Sequence, residues 1–241
     1  MLKSFKKIIN LFIACLLFSC TNNKNNNITI TKFENSPSYE NASLSLKELE
    51  TDNNEHFFLF ESANYELGEQ TEKNFKYPLA NSDLGQHIHF IVNNGPYSAH
   101  YDEEFSKKLD DDSNIILAFL SRSYHESVKN KNAFVLIQTG GNNTNLNNEF
   151  MFYSRPKGTY KNGDTEKVLL DFYLVNTEIS KNGNRVRATI NDSEFYIYDW
   201  SPYIVEGLPK GETTIKLELL NSKNELIKTE FNPSFRTIIL E

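Results

Sequence analysis

The sequence predicts an all-β protein, and three observations carry that prediction. Aromatic residues make up 13% of the 241-residue chain, with 18 Phe and 12 Tyr, and such residues are enriched in strands. Short apolar runs of strand length recur along the chain, separated by clusters of Asn, Gly and Pro that are typical of turns. The sequence has no long apolar stripe at helical spacing, and Ser45–Glu50 would form a single helical turn at most.

Residues 1–19 have the pattern of a cleaved export signal. Three lysines precede the apolar run Ile8–Phe18, which has the length of a signal-peptide core and is too short to span a bilayer. Ser19 and Cys20 follow, and this arrangement resembles the lipobox of bacterial lipoproteins. The resemblance implies that Cys20 is lipidated and becomes the mature N-terminus. The alternative is an ordinary signal peptide followed by an incidental cysteine.

Residues 20–54 are predicted to hold the lipidated cysteine and a flexible tether. The stretch 21–27 is polar, with one Lys and no acidic residue. The Asn- and Lys-rich composition resembles that of an AT-rich member of the Bacteroidota. Surface-displayed lipoproteins of that phylum tend to carry acidic residues soon after the cysteine, which this stretch lacks. That comparison implies a periplasm-facing position. We therefore expect a cell-envelope protein that is attached to the membrane through its N-terminal lipid.

Cysteine usage and charge exclude several classes of function. Cys15 leaves with the signal and Cys20 carries lipid, so the mature chain has no disulfide and no thiol nucleophile. Removing the three leader lysines changes the formal net charge from -7 to about -10. An acidic chain lacks the basic surface that nucleic-acid binding requires, so we expect no nucleic-acid partner.

The sequence gives little support for catalysis. It contains no serine-hydrolase elbow, phosphate loop, dinucleotide fingerprint or zinc-protease helix. A Ser/His/Asp site assembled from distant residues is the alternative that stays open. We expect a protein that is not an enzyme.

Ten runs are predicted as strands, and they fall into two modules. Residues 55–140 form the first module, residues 141–165 a linker with one short strand, and residues 166–241 the second module. In chain order the predicted strands are Phe57–Glu61, His87–Val92, Ile115–Leu120, Phe134–Gln138, Phe150–Tyr153, Leu169–Leu174, Arg185–Ile190, Phe195–Tyr198, Thr214–Leu220 and Thr237–Leu240.

An internal repeat supports the division into modules. Gly85–His89 resembles Gly183–Arg187, and Ile115–Leu120 matches Ile215–Leu220. Both pairs are separated by about 100 residues, as expected for a repeated β module. The alternative is a chance alignment of similar β runs.

The second module also resembles a known kind of domain. Gly207–Gly211 forms a turn and Thr213–Leu219 an alternating strand. This turn and strand resemble a segment common in immunoglobulin-like envelope domains. The resemblance implies two immunoglobulin-like β-sandwich modules in tandem, and it implies nothing about activity.

Histidines are the candidate metal ligands. His87 and His89 lie two residues apart on a predicted strand, so both side chains leave the same face with Cβ atoms roughly 7 Å apart. His100 and His125 follow in or near connecting segments. Three or four imidazoles without a thiolate suit copper or zinc. The alternative is that His87 and His89 lie on a polar sheet face or form hydrogen bonds between the modules.

Basic and aromatic side chains are the candidate ligand-binding residues. Arg122, Arg155 and Lys157 flank serines in loops and are able to clamp a phosphate or carboxylate. Trp200 and Tyr203 surround a proline, as a platform for a sugar or peptide or as a cover over the end of a sandwich. Similar lipoproteins of Bacteroidota are loosely described as phosphopeptide-binding.

These residues define two hypotheses. The first is a non-enzymatic envelope lipoprotein that binds a ligand or partner, such as an anionic or phosphorylated peptide or another envelope protein, without a cofactor. The second is a periplasmic protein that binds copper or zinc through the His-x-His strand.

Overall fold

The computed structural model describes residues 27–110, 113–141 and 144–241. These residues form an all-β protein, so the predicted fold class is confirmed. Within them, the 3-10 turn Asn162–Thr165 is the only helical element. The single helical turn expected at Ser45–Glu50 is wrong, since these residues lie in the middle of a strand. The predicted signal peptide and Cys20 lie outside the described residues.

Sixteen strands are found in these ranges. They are β1 (Thr29–Lys32), β2 (Ser43–Asp52), β3 (Glu55–Ala63), β4 (His87–Val92), β5 (Ser98–His100), β6 (Glu104–Lys108), β7 (Asn114–Ser121), β8 (Phe134–Thr139), β9 (Phe150–Arg155), β10 (Gly158–Tyr160), β11 (Val168–Val175), β12 (Arg185–Ile190), β13 (Ser193–Ile197), β14 (Tyr203–Glu206), β15 (Gly211–Leu220) and β16 (Ser234–Leu240).

Strands β2–β8 form a sandwich that we call module 1. One sheet has the order β2-β3-β6 and the other β5-β4-β7-β8, and the neighbouring strands are antiparallel. Alternate residues of β3 and β4, such as Phe58 and Phe90, meet between the sheets with their ring centroids 4.9 Å apart. Because successive side chains of a strand point to opposite faces, every second residue of each sheet packs into the core of this immunoglobulin-like sandwich.

Strands β9–β16, together with β1, form the second sandwich, which we call module 2. Its sheets have the orders β1-β14-β11-β9 and β10-β16-β15-β12-β13. The pairs are antiparallel except β10 with β16, which run parallel. Along β12 the odd positions are half-buried and the even ones buried, so Val186, Ala188 and Ile190 face the core.

The two modules share the order of their central strands and the conformation of the turn that follows β4 and β12. The central pair β4-β7 of module 1 corresponds to β12-β15 of module 2. Asn93 and Asn191, which follow β4 and β12, take φ of 49° and 50°. Each accepts a hydrogen bond through its side-chain oxygen, from the Ile115 and Thr214 backbone N–H groups respectively. Asn tolerates this left-handed region because its short polar side chain bonds locally.

The structure corrects the predicted tether and linker. Within 20–54, β1 pairs with β14 of module 2 and β2 opens module 1. Within 141–165, β9 and β10 are integral strands of module 2. The described part of the tether is ordered because Phe33 is buried, with its ring 5.1 Å from Phe75 and 6.0 Å from Tyr124.

A third apolar cluster joins the modules, and we call it the interface cluster. The outer face of the β5-β4-β7-β8 sheet packs against the outer face of the β1-β14-β11-β9 sheet. Phe119 of β7 stacks on Tyr173 of β11 with centroids 4.6 Å apart. The buried members are Ile91, Tyr97, Ile115, Leu117, Phe119, Phe150, Phe152, Tyr173 and Val175. Strands β4, β7, β9 and β11 are therefore buried on both faces.

We expect the Phe152→Ala substitution to lower the free energy of unfolding by about 3–5 kcal/mol, because it opens a cavity at the interface cluster. The matched control is Phe235→Ala, since Phe235 is 62% exposed on β16. That control should change the free energy by about 0.5 kcal/mol or less. Urea denaturation measures both, and equal losses would contradict the packing described here.

Candidate functional site

Three histidines converge at the interface between the modules. His87, His89 and His125 each offer a ring nitrogen, and these atoms all lie within 4.8 Å of one another. We call them the histidine cluster. The ring centroids of His87 and His89 are 4.8 Å apart, and those of His87 and His125 are 5.0 Å apart. Three imidazoles from two separate segments thus face one point.

The strand β4 places two of these rings. Ile88 and Phe90 point into the core of module 1, so the alternating residues His87 and His89 point outward to module 2. Both histidines are fully buried: the Tyr97 ring covers His89, and Ser154 of module 2 contacts the same ring. The alternation that places Ile88 and Phe90 in the core therefore places His87 and His89 at the interface.

The third ring comes from the turn after β7. His125 has φ of 67°, and its backbone N–H donates to the Arg122 carbonyl at 2.8 Å. The tight turn directs the ring back toward β4, where its Nδ1 lies 3.1 Å from His87 Nε2. This contact joins the turn to the strand.

Neighbouring groups orient the three rings. His87 Nδ1 lies 2.8 Å from the Gly85 carbonyl oxygen, so that nitrogen carries the proton and Nε2 presents a lone pair. In the metal-free chain, His125 Nδ1–H then donates to this lone pair. A carbonyl that fixes the tautomer of a ring in this way is the usual outer partner of a metal-binding histidine.

His89 has a buried nitrogen without a partner. Its Nδ1 lies 3.4 Å from Ser154 Oγ, and its Nε2 has no hydrogen-bond partner among the described residues. The Tyr97 ring stacks on the His89 ring with centroids 3.5 Å apart, and the Tyr97 hydroxyl lies 3.2 Å from His125 Nδ1. Leaving a buried polar atom unpaired costs about 1–3 kcal/mol, which a ligand on that atom would recover.

Burial keeps the imidazoles neutral. Desolvation lowers the pKa of His87 to about 4 and holds the pKa values of His89 and His125 well below the usual range. The positive charges of Arg155 and Lys157 lower all three pKa values further. At neutral pH, protons therefore do not compete for the ring nitrogens.

A β-bulge brings module 2 to the cluster. On β9, Tyr153 pairs with Phe172 and Arg155 with Asp171, so Ser154 is the extra residue. Ser154 contacts His89, while the Arg155 guanidinium carbon lies 5.8 Å from the centre of the Tyr97 ring. The side chains of Ser154 and Arg155 thus both point toward module 1, whereas consecutive side chains of a regular strand point to opposite faces.

The structure places His100 away from the histidine cluster. His100 lies directly opposite Ile88 in the β4-β5 pair, and opposed residues point to the same face. Its ring stacks on Phe105 with centroids 3.5 Å apart, and its Nε2 lies 2.9 Å from Ser98 Oγ. The predicted set of four histidines is therefore wrong at His100, and His125 completes the trio.

The predicted clamp of three basic residues also separates. Arg122 is buried, forms an ion pair with Glu126 at 3.0 Å, and donates to the Pro37 and Ser127 carbonyls. It fixes the segment after β1 against module 1. Arg155 and Lys157 remain together beside the Tyr97 ring.

Trp200 and Tyr203 do not form one platform. Tyr203 is buried in β14, and its hydroxyl donates to the Asp199 carbonyl at 3.1 Å. Trp200 donates to the Phe172 carbonyl at 3.0 Å and lines a cleft of about 710 Å³ with Phe134. Tyr203 is therefore wrong as a ligand-contacting residue, whereas Trp200 stays at a cleft between the modules.

Sequence reasoning missed Tyr97 and Ser154. Tyr97 lies in the turn between β4 and β5, and Ser154 lies in module 2. Their contacts with His89 depend on how the modules dock, which no local pattern specifies. The sequence shows only that Tyr97 follows Pro96 a few residues after the strand that carries His87 and His89, which does not predict a contact between the rings.

Comparison with known proteins leaves the family open. No family model matches this sequence, and no curated protein matches it. Among solved structures, the chain is similar to the fibronectin(III)-like modules of Clostridium thermocellum CbhA, with 8% sequence identity and a TM-score of 0.30. That match covers 82% of this chain and 94% of the other. Within the described ranges, no helix has the length and apolarity needed to cross a membrane.

We expect the metal-free chain to lose stability as the pH falls from 6.5 toward 4. The pKa of His87 is about 4 in the folded state against an ordinary value of 6.5, so the unfolded state binds the proton first. The contribution of His87 is complete above pH 6.5 and shrinks below it, by on the order of 3 kcal/mol in all. Urea unfolding of chelator-treated wild type and His87→Asn should give the variant a shallower pH slope, and equal slopes would count against a buried neutral His87.

Proposed function

We propose that this chain is a non-enzymatic cell-envelope lipoprotein that binds one transition-metal ion, copper or zinc, through His87, His89 and His125. The observation that supports this proposal is the convergence of three imidazoles, two of them buried and that of His125 half-buried, whose ring nitrogens lie within 4.8 Å of one another. One of these rings has a nitrogen with no protein partner. Neutral nitrogen donors in this arrangement are suitable ligands for a transition-metal ion.

The spacing of the cluster is close to that of a metal site. Metal–nitrogen bonds of about 2.0–2.1 Å in a tetrahedral site place neighbouring nitrogens about 3.4 Å apart. The His87–His125 pair is at 3.1 Å, and the widest separation in the cluster is 4.8 Å. To bind a metal through Nδ1, His125 would carry its proton on Nε2, so that the ring would stay neutral.

The donor set favours copper or zinc over the hard cations. Imidazole nitrogen suits zinc, copper, iron and nickel, whereas magnesium and calcium need oxygen ligands. No carboxylate of the described residues belongs to the cluster. Arg155 and Lys157 repel a divalent ion twice as strongly as a monovalent one, because Coulomb energy scales with charge. Among the candidates, monovalent copper fits this environment best when no anion accompanies the metal.

The envelope location is supported by the leader sequence. Residues 1–19 have the composition of a signal peptide, and Cys20 occupies the position of a lipidated cysteine. We propose that the lipid on Cys20 anchors the chain to the membrane, facing the periplasm, as in the envelope lipoproteins of Bacteroidota that the sequence resembles. Strand β1 begins at Thr29, so fewer than ten residues separate Cys20 from the folded body.

An anionic or phosphorylated peptide is the second candidate ligand. Arg155 and Lys157 support it, because both are cations beside the interface without a carboxylate partner. Arg122 no longer belongs to this set, since Glu126 neutralises it.

We expect the mature chain, purified in detergent and loaded with copper or zinc, to hold one metal ion per chain. His125→Asn should weaken binding at least about tenfold, because it removes one of three nitrogen ligands while Asn still tolerates the left-handed φ of this turn. The matched control, His100→Asn, should bind like the wild type. Elemental analysis after gel filtration measures the metal content, and equal loss in both variants would contradict the proposed ligand set.

We expect a fatty-acid probe to label the chain in bacterial cells. The Cys20→Ser variant should lose the label, because it removes the thiol that carries the lipid. In-gel fluorescence of the immunoprecipitated protein reads out the result. A wild type without label, or a variant that keeps it, would remove the support for a lipid anchor.

A further inference from the structure

Two cations beside the histidine cluster lack a counter-charge. The Arg155 guanidinium makes no ion pair and no hydrogen bond to any described residue, although the residue is only 6% exposed. Its buried Nε has no partner among those residues. Lys157 Nζ donates to the Tyr97 carbonyl at 2.7 Å and likewise makes no ion pair with a described carboxylate.

Two other cations that lie largely out of solvent, Arg122 and Lys129, have carboxylate partners. Arg122 pairs with Glu126, and Lys129 pairs with Asp171 across the modules. Each of those charges is neutralised by a carboxylate that is itself buried. A buried charge without such a partner is costly, and proteins retain one where a ligand supplies the opposite charge.

Aromatic rings hold the two cations in place. The Arg155 guanidinium carbon lies 5.8 Å from the ring centres of both Tyr97 and Tyr160. Lys157 Nζ lies 3.5 Å from the centre of the Tyr97 ring. Because the His89 ring already covers one face of Tyr97 at 3.5 Å, Lys157 occupies the opposite face. The rings position the charges without neutralising them.

We infer that Arg155 and Lys157 form a binding site for a small oxyanion, a phosphate or carboxylate group, at the interface between the modules and across the Tyr97 ring from the histidine cluster. The planar guanidinium offers two parallel N–H donors that match the oxygens of either group, and the ammonium adds a point charge. Desolvation and the charge of Arg155 lower the pKa of Lys157 to about 8, as expected of two cations that share no anion.

The inferred oxyanion would also assist the metal proposed above, although the inference does not depend on that metal. Arg155 and Lys157 both contact the Tyr97 ring, which stacks on the His89 ring at 3.5 Å, so the two charges lie close to the clustered imidazoles. The positive charges of Arg155 and Lys157 also repel a metal cation. An anion bound at the two cations cancels this repulsion, so oxyanion and metal should bind more tightly together than alone.

The test is calorimetric titration of the chelator-treated mature chain, in detergent at fixed ionic strength, with inorganic phosphate, acetate and a phosphoserine peptide in separate arms. We expect saturable binding of at least one of these, and the arm that binds most tightly identifies the source of the oxyanion. Lys157→Met and Arg155→Met should each weaken binding by about ten- to hundredfold, because each removes a charge-assisted hydrogen bond. Lys210→Met, an exposed lysine in a turn, is the matched control and should bind like the wild type.

Two results would overturn this inference. One is the absence of saturable binding in all three arms. The other is binding that survives both Lys157→Met and Arg155→Met. The His125→Asn variant separates the two proposals, since it should lose the metal and keep the oxyanion. Should Arg155→Met fail to fold, the Lys157→Met variant carries the test, because its half-exposed side chain can be replaced without opening a cavity.

Discussion

The docking of two sandwiches, face to face, is the constraint on which the rest of this structure depends. An isolated module would expose the outer face of β4 and β7, with Leu117 and Phe119 in water. Module 2 covers that face with Phe152 and Tyr173, so four strands are buried on both sides. Burying such side chains stabilises a protein by about 1.5–3 kcal/mol each. The two modules therefore form one cooperative unit, and the polar side chains on the outer face of β4 are buried between them.

The same docking creates an electrostatic imbalance. His87 and His89 are buried as neutral rings because the low dielectric disfavours their charged forms. Arg155 enters the interface at the bulge around Ser154, and no described carboxylate lies within ion-pair distance of its guanidinium, although Asp171 is its cross-strand neighbour on β11. Lys129, by contrast, forms an ion pair with the buried Asp171. This difference between the two arrangements is the basis for the oxyanion site that we propose at Arg155 and Lys157.

Local patterns in the sequence could predict the sheets but only part of the site. The alternation of residues on β4 places His87 and His89 on one face, and the offset of about 100 residues relates β4 to β12, where arginines take the same positions. Periodicity along one strand cannot choose between His100 and His125, because that choice depends on the register of β5 and on the φ of the turn after β7. The pairing of β1 with β14 joins residues far apart in sequence, and its four residues are too few to show a period.

X-ray absorption spectroscopy of the metal-loaded mature chain tests the central claim most directly, because it measures the ligands rather than the amount of metal. Binding by His87, His89 and His125 should give three nitrogen scatterers at about 2.0–2.1 Å together with the outer-shell pattern of imidazole rings. A first shell made up mainly of water or carboxylate oxygens, with one imidazole or none, would show that the interface histidines only pack the two modules together.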